Sequence, residues 1–189
     1  MRKKLIGVIG DSRVDPESEN YKLAFNLGKA LIDNGHRLIS GGMSGIMEAA
    51  SKGARASGKY SSGDIIGIIP GFDPDEGNGF VDISIATGLD TYRNVIVANS
   101  DVVVAIGGGA GTLTEMATAW ILKRMVIAYK VVGWSGKLAD TKIDNKLRVN
   151  FSDDKVFGVN NEKEVMELLE KYLDKYPRSH KKLNERLEF

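Results

Sequence analysis

Residues 106–115, Ile-Gly-Gly-Gly-Ala-Gly-Thr-Leu-Thr-Glu, gather four glycines within five positions, Gly107, Gly108, Gly109 and Gly111, and follow them with Thr112 and Glu115. A strand that passes through glycines into a helix leaves free backbone N–H groups and the positive end of a helix dipole converging on one point, where anions bind. Glycine permits unusual dihedrals and close backbone approach, and a threonine hydroxyl can donate to the same anion. Gly108, Gly109, Gly111 and Thr112 are therefore expected to hold a phosphate. A tight strand-to-helix turn packed against a sheet would use the same glycines with no ligand. Glu115 has two readings of equal weight. With Thr112 it spells the Thr-x-x-Glu capping box, in which the acid only ties up a backbone N–H. Otherwise its carboxylate, near the helix start, faces a bound sugar.

The same design recurs earlier. Residues 40–46, Ser-Gly-Gly-Met-Ser-Gly-Ile, place Gly41, Gly42 and Gly45 between an apolar run and a helix-like pattern, so two glycine loops could clasp one ligand. After the first apolar run come Gly10, Asp11, Ser12 and Arg13, small polar groups with a guanidinium suited to a phosphate or carboxylate. Thr91-Tyr92-Arg93-Asn94 opens a helical pattern just before the glycine-rich strand, so Arg93 projects toward the same crevice or into solvent. Two further motifs fail. Residues 53–59 fit most of a triphosphate loop, but Tyr60 stands where the magnesium-binding hydroxyl belongs, and the stretch follows a helix rather than a strand. A dinucleotide fingerprint begun at Gly107 and Gly109 needs a glycine where Thr112 stands, and it lies late in the chain.

These loops need a frame. Apolar runs at 5–9, 37–39, 65–69, 81–87, 102–106 and 125–129 predict strands, and helical spacing predicts helices over 21–34, 46–56, 90–100 and 112–122. Asp15-Pro16 signals the start of the first helix and Asn34-Gly35 its stop. The second helix carries a small-residue face, Ala49, Ala50, Gly53 and Ala54, suited to lying close to a sheet. Val165, Leu168, Leu169 and Tyr172 mark a last amphipathic helix, and residues 131–146 read as a long loop. Alternating strands and helices predict an α/β fold, an open, doubly wound, mostly parallel sheet with ligands beyond the carboxyl ends of its strands. The glycine loops fall at those ends.

At 189 residues and 42% hydrophobic content the chain is expected to form one domain, residues 1–176, with a charged surface tail or docking arm over 177–189. A formal net charge of +1 disfavours nucleic acid and anionic membranes as partners. No cysteine is present and the two histidines, His36 and His180, lie far apart, which argues against disulfides, thiolate chemistry and a zinc site. The basic head and short apolar run before Asp11 fit neither a signal peptide nor a membrane span, so a cytoplasmic location is expected.

Taken in order, Ser40-Gly41-Gly42, residues 65–70, Arg93 and Gly108-Gly109-x-Gly111-Thr112-x-x-Glu115 resemble the LOG family, also described as lysine-decarboxylase-like, over residues 5–129. The resemblance implies a Rossmann-like fold and hydrolysis of the N-glycosidic bond of nucleoside 5′-monophosphates to a free base and ribose 5-phosphate. It places the family's catalytic arginine and glutamate on Arg93 and Glu115. That chemistry requires no metal or cofactor: the glycine loop holds the phosphate, a carboxylate stabilises an oxocarbenium-like ribose and a guanidinium assists the departing base. Three departures stand out. Gly107 replaces the family's proline, Asn94 follows Arg93 where a lysine is usual, and Thr114 replaces an acid. They bring the sequence closer to the branch that includes molybdenum-cofactor carrier proteins, which bind a phosphorylated pterin without hydrolysing it. The alternative expectation is thus a non-catalytic carrier or sensor of such a ligand, with the molybdenum cofactor as its bound ligand. The small-residue faces and the resemblance together suggest a homodimer or homotetramer.

Overall fold

The computed structural model describes residues 2–176; the tail at 177–189 lies outside the described residues. Seven strands, β1 (Leu5–Gly10), β2 (Arg37–Ser40), β3 (Ile65–Ile69), β4 (Ile83–Ala86), β5 (Val102–Ile106), β6 (Met125–Tyr129) and β7 (Phe157–Val159), form one sheet in the order β4-β3-β2-β1-β5-β6-β7. Every neighbouring pair is parallel. Among the described residues the α-helices are α1 (Glu19–Asp33), α2 (Ile46–Arg55), α3 (Asn94–Ala98), α4 (Ala110–Ile121), α5 (Trp134–Leu138) and α6 (Glu162–Tyr172). The fold is a Rossmann-like, doubly wound α/β sheet.

The central strands are apolar throughout because both of their faces are covered. Ile6, Val8, Leu27, Val104 and Ile127 lie in the core on the side of α1, α2 and α6, while Ile9, Val103, Ala105, Met116 and Val126 lie in the core on the opposite side. The chain builds outward from β1 to β4, then returns to lay β5 against the other side of β1, with Gly10 opposite Ile106. Strand order reverses between β1 and β5, and in such sheets the crevice outside the carboxyl ends of the strands at this point receives the ligand.

Several elements differ from their sequence signals. The small face of α2 serves largely to approach α1: a Cβ at Gly53 would lie 1.9 Å from the Phe25 carbonyl oxygen, and one at Gly28 would lie 1.9 Å from that of Ala50. Those small residues are used within the chain. The helix expected over 90–100 begins as a single 3-10 turn, Asp90–Arg93, entered through a left-handed Asp90 at φ 48°, and only then becomes α3. The long loop contains α5, and β7 was not anticipated, since three residues are too few to establish a period. α1 begins at Glu19, where the Ser18 hydroxyl accepts from the Tyr21 N–H at 3.3 Å, three residues beyond Pro16. Among the described residues no helix is long and apolar enough to cross a membrane.

Candidate functional site

The glycine loop after β5 is held on both sides. Gly107 and Gly108 have φ of +65° and +93°, a region that side chains rarely enter, and these angles turn the chain sharply from strand into α4. From one side the Gly108 N–H donates to Asp11 Oδ2 at 2.8 Å. From the other, α5 grips the loop: the Gly107 N–H donates to Ser135 Oγ at 2.8 Å, while the N–H groups of Trp134 and Ser135 donate to the Gly108 and Gly107 carbonyls, each at 3.0 Å. Ser135 is fully buried, and its hydroxyl donates in turn to the Tyr129 carbonyl at 2.8 Å. Ser135→Ala should therefore leave the Gly107 amide buried and unpaired, at a cost of ~1–3 kcal/mol. A lower midpoint in urea unfolding checks this, and unchanged stability would remove the clamp.

With Gly107 and Gly108 occupied, the free donors lie further on. The first bond inside α4 runs from the Leu113 N–H to the Gly109 carbonyl at 3.1 Å, so the amides of Ala110, Gly111 and Thr112 precede it and have no intrahelical acceptor. A Cβ at Gly109 would meet nothing within 4 Å, and one at Gly111 only the Asn94 side-chain nitrogen at 3.8 Å. The helix start is open to a ligand. Thr112 is buried, its side chain filling the space that a Cβ on Gly108 would need.

These groups border a cleft of about 380 Å³ beyond the ends of β1 and β5, within the range of small-molecule sites. The end of β1 and the loop after it contribute Ile9, Gly10, Asp11 and Ser12 to its lining; α4 and its N-cap contribute Gly109, Gly111, Thr112 and Glu115; the 3-10 turn and the start of α3 contribute Asp90, Thr91, Arg93 and Asn94. Met47 and Pro70 line it as well. Among the described residues no cluster of His, Cys, Asp or Glu could hold a metal ion.

Glu115 does not form a capping box. Gly109, not Thr112, is the N-cap of α4, no side chain caps it, and Glu115 lies beyond the first turn. Its Oε1 stands 3.9 Å from Arg93 Nη1, an ion pair too long to be a hydrogen bond, with the two side chains only 8% and 12% exposed. Burial pushes the Glu115 carboxyl up to about 8 despite the opposing pull of Arg93. The same desolvation holds the Arg93 guanidinium below its ordinary value, against the pull of Glu115 and Asp90. Arg93 Nε is buried with no hydrogen-bond partner. At neutral pH this end of the cleft thus presents a neutral carboxyl beside a guanidinium with unused donors.

Of the residues singled out in the sequence, Gly10, Ser12, Arg93, Gly109, Gly111, Thr112 and Glu115 come together around the cleft. Arg13 is exposed and outside the lining, and Gly108 lies behind it with its amide on Asp11. Gly45 packs on the Asp11 and Ser12 backbone, Gly42 against Ile69 and Gly67, and Gly41 against Arg93. Gly41, Gly42 and Gly45 thus stand behind the cleft rather than in its lining. Asp90 and Ser135 were not singled out as site residues; the fold brings Asp90 to the cleft and Ser135 to the loop beside it.

The chain is 34% identical to a molybdenum cofactor binding protein from the phototrophic bacterium Rippkaea orientalis, whose structure matches with a TM-score of 0.75 over 92% of this chain and 99% of that one. It is 30% identical to the molybdenum cofactor carrier protein of Chlamydomonas reinhardtii, with a TM-score of 0.71 over 92% and 99% of the two chains. A protein of Archaeoglobus fulgidus is 42% identical over 120 residues, 63% of this chain and 75% of that one. The model of the SLOG cluster4 family, within the LOG-like superfamily, matches residues 3–166. The chain belongs to the SLOG cluster4 family.

Proposed function

We propose that this protein is a non-catalytic carrier of the molybdenum cofactor, with the cofactor's phosphate on the open start of α4 and its heterocycle extending toward Arg93 and Glu115. The observation that carries this reading is the likeness, over nearly the whole chain, to one molybdenum cofactor binding protein and one molybdenum cofactor carrier protein. The donor set fits such a ligand. The amides of Ala110, Gly111 and Thr112 and the Thr112 hydroxyl suit a phosphate, and Gly109 leaves the backbone approachable. The Arg93 donors and the protonated Glu115 suit an acceptor-rich group deeper in the cleft. A preformed loop loses little freedom when the ligand arrives, which favours binding.

The second reading is hydrolysis of nucleoside 5′-monophosphates to free base and ribose 5-phosphate, and the convergence of Arg93 and Glu115 beside the helix start favours it. The charge state of Glu115 weighs against it, since an oxocarbenium-like ribose is stabilised by a carboxylate and not by a neutral carboxyl. Incubation with a panel of nucleoside 5′-monophosphates, followed chromatographically, separates the two. The carrier reading expects no free base, together with retention of molybdenum and pterin fluorescence after the protein is mixed with the cofactor and desalted. Base release that disappears in Glu115→Gln would overturn it in favour of the hydrolase. A homodimer or homotetramer remains part of the proposal and is read by light scattering.

A further inference from the structure

We infer that Gly41 is a positioning residue: its missing side chain is the space in which the Arg93 guanidinium lies, and it thereby sets that guanidinium against Glu115. A Cβ at Gly41 would fall 2.4 Å from Arg93 Nη1, 2.5 Å from Nη2 and 2.7 Å from Cζ. These are its three nearest neighbours, and all belong to the far end of one flexible side chain. The contrast with other tight glycines is direct. At Gly28 the obstacle is the Ala50 backbone and at Gly45 the backbone of Asp11 and Ser12, neither of which can yield. Gly41 itself is buried, and the loop around it is pinned by Ser40, whose hydroxyl accepts from the Gly42 N–H at 3.1 Å.

Arg93 needs such a seat because little else fixes it. Among the described residues its guanidinium makes no hydrogen bond, its Nε is buried without a partner, and its ion pair to Glu115 is loose at 3.9 Å. A methyl group at position 41 displaces the guanidinium without straining the backbone, so Gly41→Ala separates the placement of Arg93 from the fold. The consequence for cofactor recognition rests on the carrier reading; the placement of Arg93 does not.

Glu115 reports the position of Arg93 in unliganded protein. The charged groups lining the cleft around it are Arg93 and Asp90 from the 3-10 turn and Asp11 from the end of β1. Carbon-13 NMR of glutamate-labelled protein follows its titration in wild type, Gly41→Ala, Arg93→Ala and the double variant. The expected result is a midpoint that rises above about 8 in Gly41→Ala and Arg93→Ala alike, with the double variant matching Arg93→Ala. An unchanged midpoint in Gly41→Ala, or a further shift when it is added to Arg93→Ala, overturns the assignment. Should Gly41→Ala fail to fold, the double variant decides: recovery of the fold supports a clash confined to Arg93, and continued failure overturns it. If Glu115 shifts as expected while molybdenum cofactor affinity is equal in wild type and Gly41→Ala, the positioning role stands and the placement of the cofactor's heterocycle against Arg93 falls.

Discussion

Gly109→Val should fold with wild-type stability and lose affinity for a phosphorylated ligand by about 100-fold or more. The two halves of this expectation have separate causes. The position is exposed, its φ of −97° is open to any residue, and a Cβ there meets nothing within 4 Å, so the folded protein accommodates a side chain. That free space is the approach to the Ala110, Gly111 and Thr112 amides, and filling it holds a phosphate beyond hydrogen-bond reach. Losing even two bonds to a charged group, at ~1.5–3 kcal/mol each, gives the stated fold-change. Calorimetric titration with the cofactor, alongside thermal unfolding, measures both halves. Undiminished affinity would move the phosphate away from the helix start.

The second large effect is on the pH dependence of stability. Glu115 is raised from 4.5 to about 8 in the folded protein, chiefly by burial. Between those values folding takes up a proton, so this residue's contribution is fully present below about 4.5, declines as pH rises, and is lost above about 8. Glu115→Gln keeps the shape and removes the ionisation. The variant should gain a few kcal/mol on the wild type across this window, with the difference smallest at its acid end and level above its alkaline end. Urea unfolding at about pH 5, 7 and 9 reads it directly. A difference that does not vary with pH would mean that Glu115 is ionised throughout. The same titration predicts weaker binding of an anionic ligand as pH rises through about 8, because the ionised carboxylate then faces the phosphate across the cleft.

What the sequence revealed, it revealed through runs and periods. β1, β3, β5 and β6 are short apolar runs closed by turn residues, and the alternation of strands with helices implied a parallel sheet and a crevice at its carboxyl ends. The glycine loop was legible for the same reason, since glycine, threonine and acid occur together in sequence as they do in space. Glu115 was ambiguous because the capping-box pattern is local, whereas the start of α4 at Ala110 is set by how Gly107 and Gly108 are clamped. The clamp itself was hidden: Ser135 acts from a helix inside an apparent loop, 28 positions beyond Gly107. Gly41 shows the complementary case. The sequence offers it as a backbone donor for a ligand; in the fold its missing side chain also makes room for Arg93, and no spacing rule predicts which side chain will occupy the room that a glycine leaves.

The insertion of β5 beside β1 also orders events during synthesis. A nascent chain that has completed only β1 to β4 has paired one edge of β1 and left the other open, on a strand whose residues are almost entirely apolar. Open, hydrophobic strand edges are templates for intermolecular pairing. Until β5 emerges, that edge is open to intermolecular pairing; β5 closes it, β6 then covers the far edge of β5, and α4 and α5, which follow β5 in the chain, complete the cleft. Protection of the β1 edge therefore precedes binding competence, so ligand-binding activity regained during refolding should lag the disappearance of the aggregation-prone species.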